Sequence, residues 1–111
     1  MQDKIILIGS EGLGRGDEEL GKRVLNNFFV TLLNKKTLPK AIFFVNSGVK
    51  LAIDESDAFD NLAKLETAGV RIIACLTCVK HFNLTDKIEP HRVSSVDTLV
   101  ELMSKYEVIS L

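Results

Sequence analysis

Two cysteines are spaced for thiol chemistry in the second half of the chain. Cys75 and Cys78 form a Cys-Leu-Thr-Cys motif at the end of the apolar run that begins at Val70. If a helix begins there, the free N–H groups of its first turn would stabilise a thiolate and lower the pKa of the cysteine. Two thiols at this spacing can also be oxidised reversibly to a disulfide. The motif therefore predicts a working thiol at one or both positions.

Other interpretations of the motif stay open. Cys75 continues the apolar run and could be a small buried hydrophobic residue. A zinc site could use Cys75, Cys78, His81 and His91, although a single Cys-x-x-Cys pair is a weak zinc signature. A thioredoxin-like site is disfavoured, because that motif follows an early strand. His81 is expected to be a partly exposed helix residue that could orient a thiolate, and we include it among the candidate cleft residues.

A glycine-rich loop, residues 9–16, follows the first apolar run. A dinucleotide fingerprint would need its third glycine where Asp17 stands, and a P-loop would need a lysine where Arg15 stands. Carboxylates around the start of the next helix would also repel a phosphate. We therefore expect a tightly turning loop with glycines at positive φ. The candidate cleft residues of this loop are Ser10, Gly12 and Gly14.

A second polar loop follows the second apolar run. It is either a strand-to-helix turn, with Gly48 for backbone freedom and Asn46 or Ser47 capping nearby N–H groups, or part of a cleft beside the cysteines. In the second case Lys50 would favour a thiolate and any anionic sulfur species bound there. The candidate cleft residues of this loop are Asn46, Ser47, Gly48 and Lys50.

Short apolar runs predict the strands that must position these loops: residues 5–8, 41–45, 70–76 and 108–111. The runs show little alternation between apolar and polar residues, which is typical of parallel strands covered on both faces. A weaker fifth strand is expected near residues 91–94. Since the carboxyl ends of parallel strands meet at one edge of the sheet, the two polar loops and the cysteine motif should lie together there.

Amphipathic patterns predict three helices between the strands, over residues 17–33, 56–68 and 95–106. The apolar face of the first is predicted to include Leu20, Val24, Phe28 and Leu32. That of the last is predicted to include Val96, Leu99, Val100 and Met103. The alternation of strands and helices predicts a single α/β domain over residues 1–111, a three-layer α/β/α sandwich with a mainly parallel sheet of about five strands.

The composition narrows the classes of function. The chain has 14 Lys and Arg against 15 Asp and Glu, which gives no general attraction to nucleic acids or anionic membranes. No apolar run approaches the roughly 18 residues of a membrane span. We therefore expect a cytoplasmic protein that binds neither nucleic acid nor membrane, and whose two cysteines are mainly reduced.

Three segments, residues 7–21, 46–52 and 75–78, together resemble the DsrE/DsrF-like family, in particular the DsrE-like domain of the YedF group of selenium-metabolism proteins. The resemblance covers essentially the whole chain and implies a parallel α/β/α sandwich. In the sulfur-relay subunits of this family, a cysteine at the end of the third strand accepts sulfur as a persulfide and passes it on. That cysteine precedes a glycine by eight residues, as Cys75 precedes Asn83 here, and Asn also tolerates a left-handed backbone.

The resemblance implies a sulfur or selenium carrier that needs no metal or organic cofactor. The residue spacing favours Cys75 as the reactive cysteine, whereas the helix-terminus argument favours Cys78. YedF-type proteins also carry a TusA-like domain that these residues do not include, so a TusA-like domain or another thiol protein is the implied partner. Family members form trimers or hexamers, which implies a homo-oligomer. The alternative is a non-catalytic oligomeric module that docks a TusA-like domain.

Overall fold

The computed structural model describes residues 1–111 and contains five strands and four α-helices. The strands are β1 (Lys4–Ile8), β2 (Ala41–Phe44), β3 (Arg71–Cys75), β4 (Val93–Ser94) and β5 (Glu107–Ser110). The helices are α1 (Glu18–Lys35), α2 (Phe59–Thr67), α3 (Leu76–His81) and α4 (Val96–Lys105). Short 3-10 helices cover Asn46–Ala52, Thr85–Lys87 and Pro90–Arg92.

All five strands are parallel and lie in the order β4-β3-β2-β1-β5. The chain steps in one direction from β1 to β4, and then crosses the whole sheet to place β5 beside β1, where Lys4 pairs with Glu107. Because such crossovers are right-handed, α1 and α2 cover one face of the sheet and α4 the other. The predicted α/β fold with a five-stranded parallel sheet is confirmed.

The inner strands are buried on both faces, as their unbroken apolar runs predict. All four residues of β2 are inaccessible to solvent, and the buried residues of β1 and β3 pack beside them. β5 differs: Glu107, Val108 and Ser110 are exposed. The prediction that this strand is covered on both faces was wrong, because β5 pairs only with β1 and forms an edge of the sheet.

The predicted inner faces of two helices were partly wrong. α1 buries Leu25 and Leu32, but Leu20 is 54% exposed. α4 buries Leu99 and Leu102, whereas its other apolar residues face solvent. These exposed residues, which we name the α4 stripe, are Val96, Val100 and Met103. None of the helices has both the length and the hydropathy needed to cross a membrane.

A buried arginine anchors the end of the 3-10 helix Asn46–Ala52. Arg92 is 2% exposed and donates from Nη1 to the carbonyl of Ala52 at 3.3 Å. Its Nε and Nη2 donate to the two carboxylate oxygens of Glu66 in α2, at 3.1 and 2.7 Å. Burial raises the pKa of Glu66, but the hydrogen bonds from Arg92 outweigh it and the net pKa is lowered. This cluster ties α2, the start of β4 and the 3-10 helix together.

Candidate functional site

The cysteine motif lies where β3 becomes α3. Cys75 ends the strand and forms the N-cap of α3, with extended backbone angles of φ −62° and ψ 122°. Cys78 lies in the first turn of the helix, so a helix does begin at the motif as the sequence predicts. Both thiols are free, Cys75 is only 3% exposed and Cys78 is half-buried. Solvent therefore reaches Cys78 far more readily than Cys75.

A backbone amide of the neighbouring loop is directed at Cys78. The N–H of Asn46 donates to Cys78 Sγ, with 3.1 Å between nitrogen and sulfur. Asn46 follows β2 in a left-handed conformation, with φ 52°, and its side-chain Oδ1 accepts a hydrogen bond from the N–H of Ser47 at 2.8 Å. A left-handed non-glycine residue costs about 1–2 kcal/mol, so the surrounding structure must hold it in place. The loop therefore supplies a fixed donor to the exposed thiol.

The pKa of Cys78 is raised, contrary to the lowering that the sequence predicts. Partial burial raises it most, because the charged thiolate loses water, and the adjacent Cys75 raises it further. The N–H of Asn46 lowers the pKa of Cys78 but does not outweigh these effects. The thiolate form of Cys78 is consequently less favoured than that of an unburied cysteine.

Cys78 opens into a cavity of about 290 Å³, which we name the Cys78 pocket. Its lining consists of Asn46, Thr77, Cys78, His81 and Phe82. The exposed His81 ring lies edge-on to the Phe82 ring, with 5.0 Å between centroids. Lys50 places its Nζ 4.6 Å from the centre of the Phe82 ring. The Phe82 ring thus forms an aromatic wall of the pocket, with the Lys50 ammonium and the His81 imidazole against it.

The glycine-rich loop forms a separate cavity of about 340 Å³ that no hydrophobic residue lines. Of the candidate cleft residues it includes Ser10, Gly12, Gly14 and Ser47. The hydroxyl of Ser10 already donates to the carbonyl of Gly12 at 2.8 Å. Asn46 and His81 line the Cys78 pocket instead, Lys50 lines a third cavity, and the first two cavities meet at the consecutive residues Asn46 and Ser47.

Two glycines allow close backbone contacts that hold these loops. A Cβ on Gly48 would lie 2.5 Å from the carbonyl oxygen of Ile8, so only glycine fits where the 3-10 helix Asn46–Ala52 meets the end of β1. A Cβ on Gly12 would lie 2.8 Å from the carbonyl carbon of Gly21 in α1. Gly48 is buried and lines neither of the two cavities, so its contribution is to position Asn46.

The four residues considered for zinc do not form one cluster. His91 Nε2 lies 3.1 Å from Glu66 Oε2, beside the Arg92 anchor. No three His, Cys, Asp or Glu side chains are grouped at metal-binding spacing. The contact that sequence reasoning missed is the one between Asn46 and Cys78, since its direction depends on the positive φ of Asn46.

Three solved structures share the fold at low sequence identity. The ychN protein from E. coli matches with a TM-score of 0.73 and 13% identity, covering 100% of both chains. MTH1491, a protein of unknown function from Methanobacterium thermoautotrophicum, matches with a TM-score of 0.68 and 18% identity, covering 97% of each chain. BT1422 from Bacteroides thetaiotaomicron, also of unknown function, matches with a TM-score of 0.68 and 17% identity. The match covers 98% of this chain and 95% of BT1422.

No curated protein sequence matches this chain. The family model described as the DsrE/DsrF-like family, however, matches residues 18–111, which include the polar loop at Asn46 and the cysteine motif. The five-stranded parallel sheet and the structural similarities agree with that match. The chain therefore belongs to the DsrE/DsrF-like family, which is associated with sulfur relay.

Proposed function

We propose that this protein carries sulfur or selenium, and that Cys78 holds the transferred atom as a persulfide or its selenium counterpart. The observation that supports this most strongly is the hydrogen bond that the Asn46 N–H donates to Cys78 Sγ in the Cys78 pocket. A backbone donor aimed at Sγ stabilises negative charge on that sulfur, which Cys78 carries as the attacking thiolate and again when it passes the atom on and leaves as a thiolate.

The greater accessibility of Cys78 supports it, rather than Cys75, as the accepting thiol in this proposal. The left-handed Asn83, with φ 57°, lies eight residues after Cys75, so the spacing argument from the family still indicates Cys75. Cys75, however, is 3% exposed, and a donor protein could not reach its sulfur without opening the core. Cys78 faces a pocket at the surface.

The transfer is a thiol–disulfide type of exchange. The Cys78 thiolate attacks the outer sulfur of a donor persulfide, the donor's sulfur–sulfur bond breaks, and the donor leaves as a thiolate. A partner thiolate then attacks the outer sulfur on Cys78 and regenerates the Cys78 thiolate. Because the pKa of Cys78 is raised, the loading rate should increase as the pH rises.

Intact-mass measurement tests the assignment. The reduced protein is incubated with inorganic polysulfide and desalted, and its intact mass is measured by mass spectrometry. We expect wild type and Cys75→Ala to gain the mass of one sulfur atom, and Cys78→Ser to gain none, because the accessible thiol is missing. Loading with a selenium donor in parallel shows which element is retained. Equal loading of Cys78→Ser and wild type would exclude Cys78 as the acceptor.

The partner we propose is a TusA-like domain or another small thiol protein, as in the selenium-metabolism group that the sequence resembles. Such a partner would present its own cysteine to the Cys78 pocket, which His81 lines and where Lys50 lies against the Phe82 ring. Transfer of the labelled atom from loaded wild type to a TusA-like domain checks this. Binding without transfer would contradict it.

A non-catalytic docking module is the second candidate, because the α4 stripe is exposed. Its central residue, Val100, is 59% exposed and is flanked by the exposed Val96 and Met103, and adjoining apolar residues of this kind can form an interaction surface. If docking is the function, a complex with a TusA-like domain should survive replacement of both cysteines. Loss of the complex in Cys78→Ser would argue against docking alone.

A further inference from the structure

We infer that Cys75 is a resolving thiol, which attacks the sulfur loaded on Cys78 and closes a Cys75–Cys78 disulfide. The inference rests on the proposed loading of Cys78. The carrier reaction proposed above does not use the buried thiol of Cys75, and this inference gives it a role. It also adds a second way for the transferred atom to leave the protein, as free sulfide.

The burial of Cys75 limits what its sulfur can meet. At 3% exposure it is closed to bulk solvent and to the sulfur of another protein. The other thiol on the same side of this turn is that of Cys78, three residues further on in α3, and Cys75 contributes to the raised pKa of Cys78. A thiol with this access can react with its neighbour but cannot be loaded from outside.

The backbone allows the bond. Residues three apart across a helical turn lie on the same side, with Cα atoms about 5 Å apart. A disulfide needs about 4.4–6.8 Å between Cα atoms. Cys75 also precedes the first residue of α3 and has an extended ψ of 122°, so its side chain is not confined by a preceding helical turn. The Cα atoms of Cys75 and Cys78 are therefore close enough for a disulfide, and β3 does not have to move.

The step balances without an external oxidant. The Cys75 thiolate attacks Sγ of the Cys78 persulfide, the bond to the outer sulfur breaks, and that sulfur leaves as hydrosulfide with the proton that Cys75 released. The oxidation level of the persulfide is retained in the new disulfide. A dithiol reductant, which becomes oxidised to its own disulfide, returns both cysteines to thiols and completes the cycle.

The test follows loaded protein in the absence of any acceptor. Wild type, Cys75→Ala and Cys75→Ser are loaded with inorganic polysulfide under anaerobic conditions, desalted, and sampled for released sulfide and intact mass. For wild type we expect sulfide release, with conversion of the loaded species to one that lacks the added sulfur and two hydrogen atoms. For both Cys75 variants we expect the loaded species to persist and sulfide release to be lost.

The outcomes separate this inference from the proposed function. If the Cys75 variants load but lose sulfur as fast as wild type, or if wild type forms no disulfide, Cys75 is not a resolving thiol although the carrier proposal stands. If no form loads, the carrier proposal fails. Since Cys75 lies in the core, far-ultraviolet circular dichroism and thermal unfolding of both variants show whether they are folded. The disulfide in wild type can be measured without any substitution.

Discussion

At the scale of single residues, the reactivity of Cys78 depends on a balance between two opposing effects. Partial burial and the neighbouring Cys75 raise the pKa of its thiol, whereas the Asn46 N–H lowers it. The sequence indicates a helix start at the motif but not this balance. Whether a thiolate forms depends on the water excluded from Sγ, and that is set by residues of α3 and of the distant 3-10 helix Asn46–Ala52.

The pH dependence of alkylation measures that balance. With iodoacetamide, the rate at Cys78 should rise with pH and reach half its maximum above 9.0, the value for an ordinary thiol. In Cys75→Ala the midpoint should move to lower pH, because one of the groups that raises the pKa of Cys78 is removed. Cys78→Ser gives the background rate from buried Cys75. A wild-type midpoint below 9.0 would contradict the assignment.

At the scale of elements, the site depends on how tightly the 3-10 helix Asn46–Ala52 packs against the end of β1. The backbone of Gly48 contacts the carbonyl of Ile8, and Arg92 holds Ala52 at the other end. Asn46 is thus fixed by contacts that lie outside the Cys78 pocket.

The substitution Gly48→Ala, which adds one methyl group, tests the packing of the 3-10 helix against β1. In Gly48→Ala the new Cβ would lie 2.5 Å from the Ile8 carbonyl oxygen, so the backbone must shift. We expect a loss of about 2 kcal/mol in the free energy of unfolding, measured with urea. We also expect a further rise in the pKa of Cys78, because the Asn46 donor moves away.

The matched control is Gly9→Ala, where the new Cβ meets only Val45 Cγ2, at 3.8 Å. This variant should unfold near the wild-type urea concentration and keep the wild-type alkylation profile. If both variants behave alike, the contact between Gly48 and Ile8 does not position Asn46.

The elements differ in how far their sequences predict them. The strands β1, β2 and β3 are evident from unbroken apolar runs, since both of their faces are covered. The face of α4 was not predictable, because Val100 and Leu102 are both apolar and only the position of the sheet decides which is buried. The Asn46–Cys78 contact joins residues 32 positions apart, and it requires both the β2–β3 pairing and a left-handed residue.

At the scale of the whole molecule, we propose that a second copy of the chain covers the α4 stripe, as the homo-oligomer implied by the family resemblance would require. Val96, Val100 and Met103 lie one turn apart on the outer side of α4, and all are exposed in the single chain. A charged residue there would have to be buried on association, which is unfavourable unless the charge is paired.

Sedimentation velocity of two variants tests this surface. We expect wild type to sediment as an oligomer, and Val100→Lys to shift towards the monomer without losing thermal stability of the single chain, because residue 100 is 59% exposed there. The control is Val30→Lys on α1, which changes a valine that is 39% exposed and outside the stripe. A monomeric wild type, or equal sedimentation of both variants, would contradict the proposal.

β5 follows the other four strands in the chain, yet it pairs with β1, the earliest of the five. Until Glu107 arrives beside Lys4, the nascent chain can form a sheet of β1 to β4 in which the outer side of β1 has unpaired N–H and C=O groups. Such an edge can recruit strands of other nascent chains, and a lysine on it discourages them. Lys4 is a lysine on that edge, and in the folded chain its Nζ lies 2.9 Å from the Glu107 carboxylate, where the two strands pair.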